Sequence, residues 1–226
     1  FRYSLSIRLR YPMRSAIILA GGRSTRMNGD KGLKELGGEA LVNRVIRRVS
    51  ELVDEVLLVV GSEEQREAYS KIVDEDVILV VDLYRDGSPL VGAITGLKHA
   101  KGEYAFMAAC DMPFISDEVV ENLFKEGEGY DGAVYQWPNE WIEPLLAVYR
   151  VEPSLEKALE LYGSGDLRVR RILQNLPHVK MIPMGDLKAI DADLHSLFDA
   201  DTEEALREAE SILEKKGIKN RRKRGS

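Results

Sequence analysis

The chain has 226 residues, 44% of them hydrophobic and 31% charged, with a formal net charge of −6. That length and balance suit one sizeable folded domain and exclude a low-complexity or fibrous chain. The charge is uneven: residues 215–226, KKGIKNRRKRGS, carry seven Lys and Arg and no acid, so residues 1–214 sum to −13. An acidic body argues against nucleic acid as a partner, because binding a phosphate backbone needs a basic face.

Cys110 is the only cysteine, so an intramolecular disulfide and a CxxC redox or zinc site are excluded, and a reducing cytoplasm is the expected setting. No apolar stretch approaches the length of a membrane span. Residues 1–13, FRYSLSIRLRYPM, lack a signal-type apolar core and are expected to be a flexible extension. The basic residues 215–226 are expected to be a solvated tail.

Regular structure opens with SAIILA (15–20), a short continuous apolar run. EVLLVVG (55–61), DVILVVD (76–82), YAFMAAC (104–110) and DGAVYQ (131–136) repeat that character without alternation. Such runs predict strands covered on both faces, as in a parallel sheet. Helices are predicted between them over 40–53, 63–73, 89–100 and 116–126, the last with Ser116 as N-cap. Beyond residue 136, EPLLAVYR (143–150) reads as a strand, 155–163 and 166–176 as helices, 178–184 as an edge strand and 202–215 as a final helix. The order predicts an α/β fold with a Rossmann-like, doubly wound, mostly parallel sheet, helices on both faces and a single domain over 14–214.

Ligands of such sheets bind beyond the carboxyl ends of the strands, and three features fall there. The first is LAGGRSTRMNGDK (19–31), where Gly21 and Gly22 allow backbone N–H groups to approach an anion and Arg26 and Lys31 add positive charge. The loop predicts phosphate binding, yet it is neither GxxxxGK[ST] nor GxGxxG. The second is CDMPFI (110–115), where Asp111 emerges after seven apolar or small residues; a carboxylate there suits Mg²⁺, which takes one or two protein oxygens beside phosphates and water. The third is FDADTEEAL (198–206), where two aspartates stand just before a helix: one of Asp199 and Asp201 is expected at the site and the other as helix cap. His99, His178 and His195 fall in no recognisable triad.

LAGGRSTRMNGDKGLKELGG (19–38), the Asp82–Gly96 stretch with SPLVGAITG, CDMPFI and EPLLAVYR together resemble the nucleotidyltransferase superfamily and, more narrowly, molybdenum cofactor guanylyltransferases of the MobA type. The resemblance runs from about residue 16 to 214. It implies transfer of GMP from GTP to the terminal phosphate of molybdopterin with release of pyrophosphate. By the same resemblance, Leu19, Ala20, Gly21 and Gly22 frame the nucleotide, Lys31 contacts the triphosphate, Asp82 lies near the guanosine and Asp111 holds Mg²⁺. Arg26 and Lys31 would then stabilise the departing pyrophosphate. The nucleotide-binding half would span 14–115 and the acceptor half 116–214, where Arg168, Arg170 and Arg171 are candidates for the acceptor phosphate. Transient contacts with proteins that carry or receive the molybdenum cofactor are also implied.

Two stretches depart from the family's usual pattern. Ser88 stands where the family has Gly, and Asp199-Ala200-Asp201-Thr202 stands in place of N-x-N-T. The latter resembles sister nucleotidyltransferases in which the second Asp helps hold metal, which makes Asp201 a candidate second ligand. A cytidylyltransferase for the same cofactor, a nucleotidyltransferase for another phosphorylated small molecule, and a non-catalytic nucleotide-binding module remain as alternatives.

Overall fold

The computed structural model describes residues 13–21, 30–85 and 87–215. The expected N-terminal extension apart from Met13, and the basic tail beyond Lys215, lie outside the described residues. In chain order the elements are β1 (Arg14–Leu19), a 3₁₀ turn (Lys31–Leu33), β2 (Glu35–Leu36), β3 (Glu39–Ala40), α1 (Leu41–Val49), β4 (Glu55–Val60), α2 (Glu63–Ser70), β5 (Val77–Val81), α3 (Pro89–His99) and β6 (Tyr104–Ala109). They continue with α4 (Asp117–Gly127), β7 (Gly132–Gln136), β8 (Ile142–Arg150), α5 (Val151–Ser164), α6 (Arg170–Asn175), β9 (Val179–Pro183), α7 (Met184–Ile190), a 3₁₀ turn (His195–Leu197) and α8 (Glu203–Lys215).

Seven strands form one sheet in the order β5-β4-β1-β6-β8-β7-β9. β5, β4, β1 and β6 are mutually parallel, β8 runs against both β6 and β7, and β7 is parallel to β9. The middle strands are as apolar as they are because each face is covered. On one face Ile18, Leu58, Phe106 and Val148 pack with Val45 of α1, Val120 of α4 and Leu187 of α7. On the other, Ile17, Leu57, Met107 and Tyr149 meet Ile94 of α3, Ala158 of α5 and Ile172 of α6. The chain leaves β1 toward β4 and β5 and then returns to the other side of β1 with β6, so the order reverses between β1 and β6. That reversal leaves a crevice at the carboxyl ends of the two strands.

Several local expectations are corrected. β5 is an edge strand with Ile78 37% exposed, so it is not covered on both faces. The segment from Lys31 to α1 is more than a simple turn: it holds a 3₁₀ turn and the β2–β3 hairpin. The hairpin turns on Gly37 and Gly38, both at positive φ (60° and 78°), the conformation that a tight two-residue turn demands. Arg44 of α1, only 5% exposed, donates from Nε and Nη2 to the Leu36 carbonyl and holds the hairpin down. Ser116 stands at the N-cap of α4 without a side-chain capping bond; its N–H donates to Ser196 Oγ. α6 is shorter than the predicted 166–176, and α7 was not predicted.

Candidate active site

Backbone bonds hold the strand ends in register up to the crevice: Ala20 N–H donates to Val59 O (2.8 Å), Cys110 N–H to Leu19 O (3.0 Å) and Asp82 N–H to Val60 O (2.8 Å). Three strands therefore deliver Leu19–Gly21, Asp82 and Cys110–Asp111 to one place. A cavity of about 300 Å³ opens there, lined by these residues and by Asp30, Lys31, Ser88, Gly92, Glu143, Leu145, Asp199 and Asp201, among others. Of the residues singled out from the sequence, Leu19, Ala20, Gly21, Lys31, Asp82, Asp111 and Asp201 all line it. Gly22 and Arg26 lie outside the described residues.

Gly21 has a structural reason to be glycine. A Cβ there would stand 3.0 Å from the Gly61 nitrogen and 3.0 Å from Asp82 Oδ2, so the backbone at the end of β4 and the Asp82 carboxylate would have to give way by a few tenths of an ångström. Ser88 also has one: its Oγ accepts from Val91 N–H at 3.4 Å and caps α3, with Pro89 at the first helical position. The N-terminal turn of α3, through Pro89 and Gly92, faces the cavity.

Asp111 is 7% exposed and its Oδ2 accepts from Lys31 Nζ at 3.0 Å. A buried carboxylate needs such a partner, because desolvation otherwise disfavours its charge. The pairing of the two residues was not anticipated from the sequence, which assigned them to different ligand groups.

Asp199 and Asp201 both line the cavity, which corrects the expectation that only one does. The segment is pinned at its centre, where Ala200 N–H donates to the Asp111 carbonyl at 2.8 Å and the Ala200 methyl is fully buried. Ala200 turns inward and its two neighbours turn to the cavity, the ordinary alternation of extended backbone, in which residues two apart share a face. The helix cap is Thr202, whose Oγ1 accepts from Ala205 N–H at 3.0 Å, and neither aspartate.

Glu143 lines the cavity although the sequence did not single it out. Between Val134↔Ala147 and Gln136↔Ile142, β7 advances two residues while β8 covers five, so β8 bulges. That bulge carries Glu143 and Leu145 into the cavity, the kind of redirection for which bulges recur near functional sites. Because β8 is antiparallel, its first residues lie at the same sheet end as the carboxyl ends of β1 and β6. The signal was present in EPLLAVYR, but nothing in its spacing foretold the bulge.

The cavity is crowded with carboxylates: Asp30, Asp82, Asp111, Glu143, Asp199 and Asp201, with Lys31 the one lysine or arginine among its described lining residues. Desolvation by surrounding protein, reinforced by Asp111, Glu143 and Asp201, pushes Asp199 up to about 7 against the opposing pull of Lys31. Burial also raises Glu143, with Asp111 adding to the shift and the Leu145 N–H opposing it. Burial lifts the Cys110 thiol well above its usual range, so it stays protonated. His99, His178 and His195 are absent from the described cavity wall.

A polyanionic ligand entering such a cavity needs added positive charge. The available donors are hard carboxylate oxygens, which fit Mg²⁺ in its ordinary mode of one or two protein ligands completed by phosphates and water. Among the described residues no three His, Cys, Asp or Glu side chains form a ready-made metal cage. Also among them, no helix is long and apolar enough to cross a membrane.

An open α/β sheet with a crevice at the strand reversal is the Rossmann-like architecture, in which ligands bind at that point. A family model described as the MobA-like NTP transferase domain matches residues 16–179. A probable molybdenum cofactor guanylyltransferase of Natronomonas pharaonis is 34% identical over 201 residues, covering 88% of this chain and 98% of its own. A molybdenum cofactor guanylyltransferase of Desulfosudis oleivorans is 31% identical over 202 residues, covering 88% and 95%. The crystal structure of molybdopterin-guanine dinucleotide biosynthesis protein A from Archaeoglobus fulgidus aligns with a TM-score of 0.76 at 30% identity, covering 90% of this chain and 100% of that one. The chain belongs to the MobA-like NTP transferase family and is a nucleotidyltransferase.

Proposed function

We propose that this protein transfers GMP from GTP to the terminal phosphate of molybdopterin, releasing pyrophosphate and forming the guanine dinucleotide form of the cofactor. The observation that carries the reading is the Lys31–Asp111 pair, set at the β1/β6 reversal in a cavity framed by Leu19–Gly21 and Asp82. The guanylyltransferase names of relatives that align over most of the chain support the choice of nucleotide and acceptor.

An oxygen of the acceptor phosphate attacks the α-phosphorus in line; that P–O bond forms as the bond to the bridging oxygen breaks, and pyrophosphate leaves with the electron pair. The attacking group is already an anion, so no Ser, Cys or His nucleophile is required, in keeping with the protonated Cys110. Leu19, Ala20, Gly21 and Gly22 frame the nucleotide, and Asp82 accepts from the guanosine. Lys31, released from Asp111, neutralises the departing pyrophosphate together with Arg26. Asp111 and Asp201 would hold Mg²⁺, which when bound screens the charge of the phosphates against these carboxylates. Residues 14–115 supply most of the nucleotide contacts, and 116–214 serve the acceptor while adding Asp201 to the shared cavity; Arg168, Arg170 and Arg171, the first and last paired with Asp166 and none on the cavity wall, are candidates for the acceptor phosphate. Work in a reducing cytoplasm, and transient contact with proteins that carry or receive the cofactor, belong to the same reading.

A second reading, transfer of CMP to the same acceptor, is favoured by the aspartates 199 and 201 on the cavity wall, where the guanylyl pattern has asparagines. The test supplies the protein with molybdopterin, Mg²⁺ and either GTP or CTP, and follows pyrophosphate release and product mass. A GMP adduct formed with equimolar pyrophosphate is expected. A CMP adduct alone would establish the second reading, and no adduct with either would overturn both.

A further inference from the structure

We propose that Gln65 is a positioning residue that places Lys31 for the triphosphate, so that its loss weakens pyrophosphate-bearing ligands without disabling the fold. The proposal rests on the nucleotidyltransferase reading of the cavity, though not on which base is used. Gln65 lies in the first turn of α2, outside the described cavity lining. Its side-chain carbonyl accepts from Gly61 N–H at 2.7 Å. Its amide nitrogen donates to both oxygens of Asp30 at 2.9 Å each. Gly61 N–H only donates and a carboxylate only accepts, so the amide has one orientation that satisfies both sides.

Each end of that bridge reaches the cavity. Gly61 is packed on Gly21, where a Cβ added to Gly61 would lie 2.8 Å from the Gly21 carbonyl oxygen. Asp30 immediately precedes Lys31, and its carbonyl accepts from Leu33 N–H, opening the 3₁₀ turn that carries Lys31. Tyr69, fully buried, adds a hydroxyl bond to Asp30 Oδ1 at 3.3 Å. Burial raises Asp30 while Gln65 and Tyr69 oppose that shift, so the two donors favour the carboxylate. One amide thus ties Gly21, on the nucleotide side, to Lys31, on the phosphate side. Lys31 extends from that anchored turn to Asp111 at 3.0 Å. A long, flexible ammonium stem reaches its target reproducibly only when its backbone is held, and misplacement by about 1 Å is enough to cost on the order of 10²-fold.

The experiment compares wild type, Gln65→Ala, Gln65→Glu and the exchanged pair Asp30→Asn/Gln65→Glu. Calorimetry measures affinity for inorganic pyrophosphate and for GMP in Mg²⁺, and steady-state assays give kcat and KM for the nucleotide triphosphate that wild type uses. Gln65→Ala is expected to weaken pyrophosphate about 10- to 100-fold and to lower kcat/KM by a similar factor, with GMP affinity within about threefold of wild type. Gln65→Glu, which sets two carboxylates together, is expected to be at least as damaging. The exchanged pair restores one donor facing one acceptor and is expected to recover most of the affinity. A fall in pyrophosphate and GMP affinity in equal measure, or no rescue by the exchange, would overturn the proposal. Wild type that binds no pyrophosphate would overturn it too. Wild type that binds pyrophosphate, loses it on Gln65→Ala and yet turns over no GTP would uphold the positioning role and defeat the guanylyl reading alone.

Discussion

Asp111→Asn keeps the shape of the side chain and removes its charge, which separates chemistry from folding. The backbone carbonyl of Asp111 still accepts from Ala200 N–H, so the 198–202 segment stays anchored. Lys31, with 27% of its side chain exposed, loses its partner but can turn to water. One negative charge also leaves the neighbourhood of Asp199 and Glu143, both of which Asp111 perturbs. The lost ion pair and the relieved repulsion oppose each other, so the net change in stability should stay within about 2 kcal/mol. At about 2–4 °C per kcal/mol for a domain of this size, Tm should move by less than about 8 °C. Activity is a different matter. Loss of one strong electrostatic element at the reacting phosphates should lower kcat/KM at least about 10²-fold. Pyrophosphate release at saturating Mg²⁺, with Tm measured on the same preparation, gives both numbers. Turnover within about threefold of wild type in a folded Asp111→Asn protein would refute the assignment of Asp111 to the reaction.

Gly96→Ala tests packing away from the cavity: the new methyl would collide with Ile17 Cγ2 where α3 lies on β1, so thermal unfolding should show a loss of about 1–3 kcal/mol with per-molecule activity retained. Ser88→Gly at the α3 cap should cost only a few tenths of a kcal/mol, since glycine is itself a tolerated N-cap; a loss above about 1 kcal/mol by denaturant titration would contradict the capping account. Desolvation and the neighbouring carboxylates push Asp199 up to about 7 in the folded state from its ordinary 3.8, so the folded state holds the extra proton between those values and ionising the group costs stability at the alkaline end. The contribution of Asp199 to stability should therefore fall as pH rises from about 4 to about 7. The exposed face of Asp199 screens the effect, so the slope should be shallow, and Asp199→Asn should flatten it in Tm-against-pH profiles.

The sheet was legible because its central strands are buried on both faces, which forces unbroken apolar runs such as SAIILA and YAFMAAC. The crevice was legible for a related reason: where such a run ends in Gly21 or Asp111, the chain has reached a sheet edge. What escaped depends on contacts distant in sequence. The bulge in β8 arises from how it pairs with β7, so Glu143 could not be placed in the cavity from EPLLAVYR alone. Asp199 and Asp201 share a side because residues two apart in an extended segment do, but that this side faces the cavity depends on the bond from Ala200 to Asp111, nearly ninety residues earlier, which no local pattern encodes. Gln65 sits in an ordinary charged helix turn, and its reach to Asp30 appears only when α2 is folded against the 3₁₀ turn.

The most direct test of the central claim is a calorimetric titration of the protein with GTP and with CTP, each with and without Mg²⁺, and with Asp111→Asn as control. The account predicts Mg²⁺-dependent binding that favours GTP and is lost in the variant. Binding that ignores Mg²⁺ and survives Asp111→Asn would contradict it.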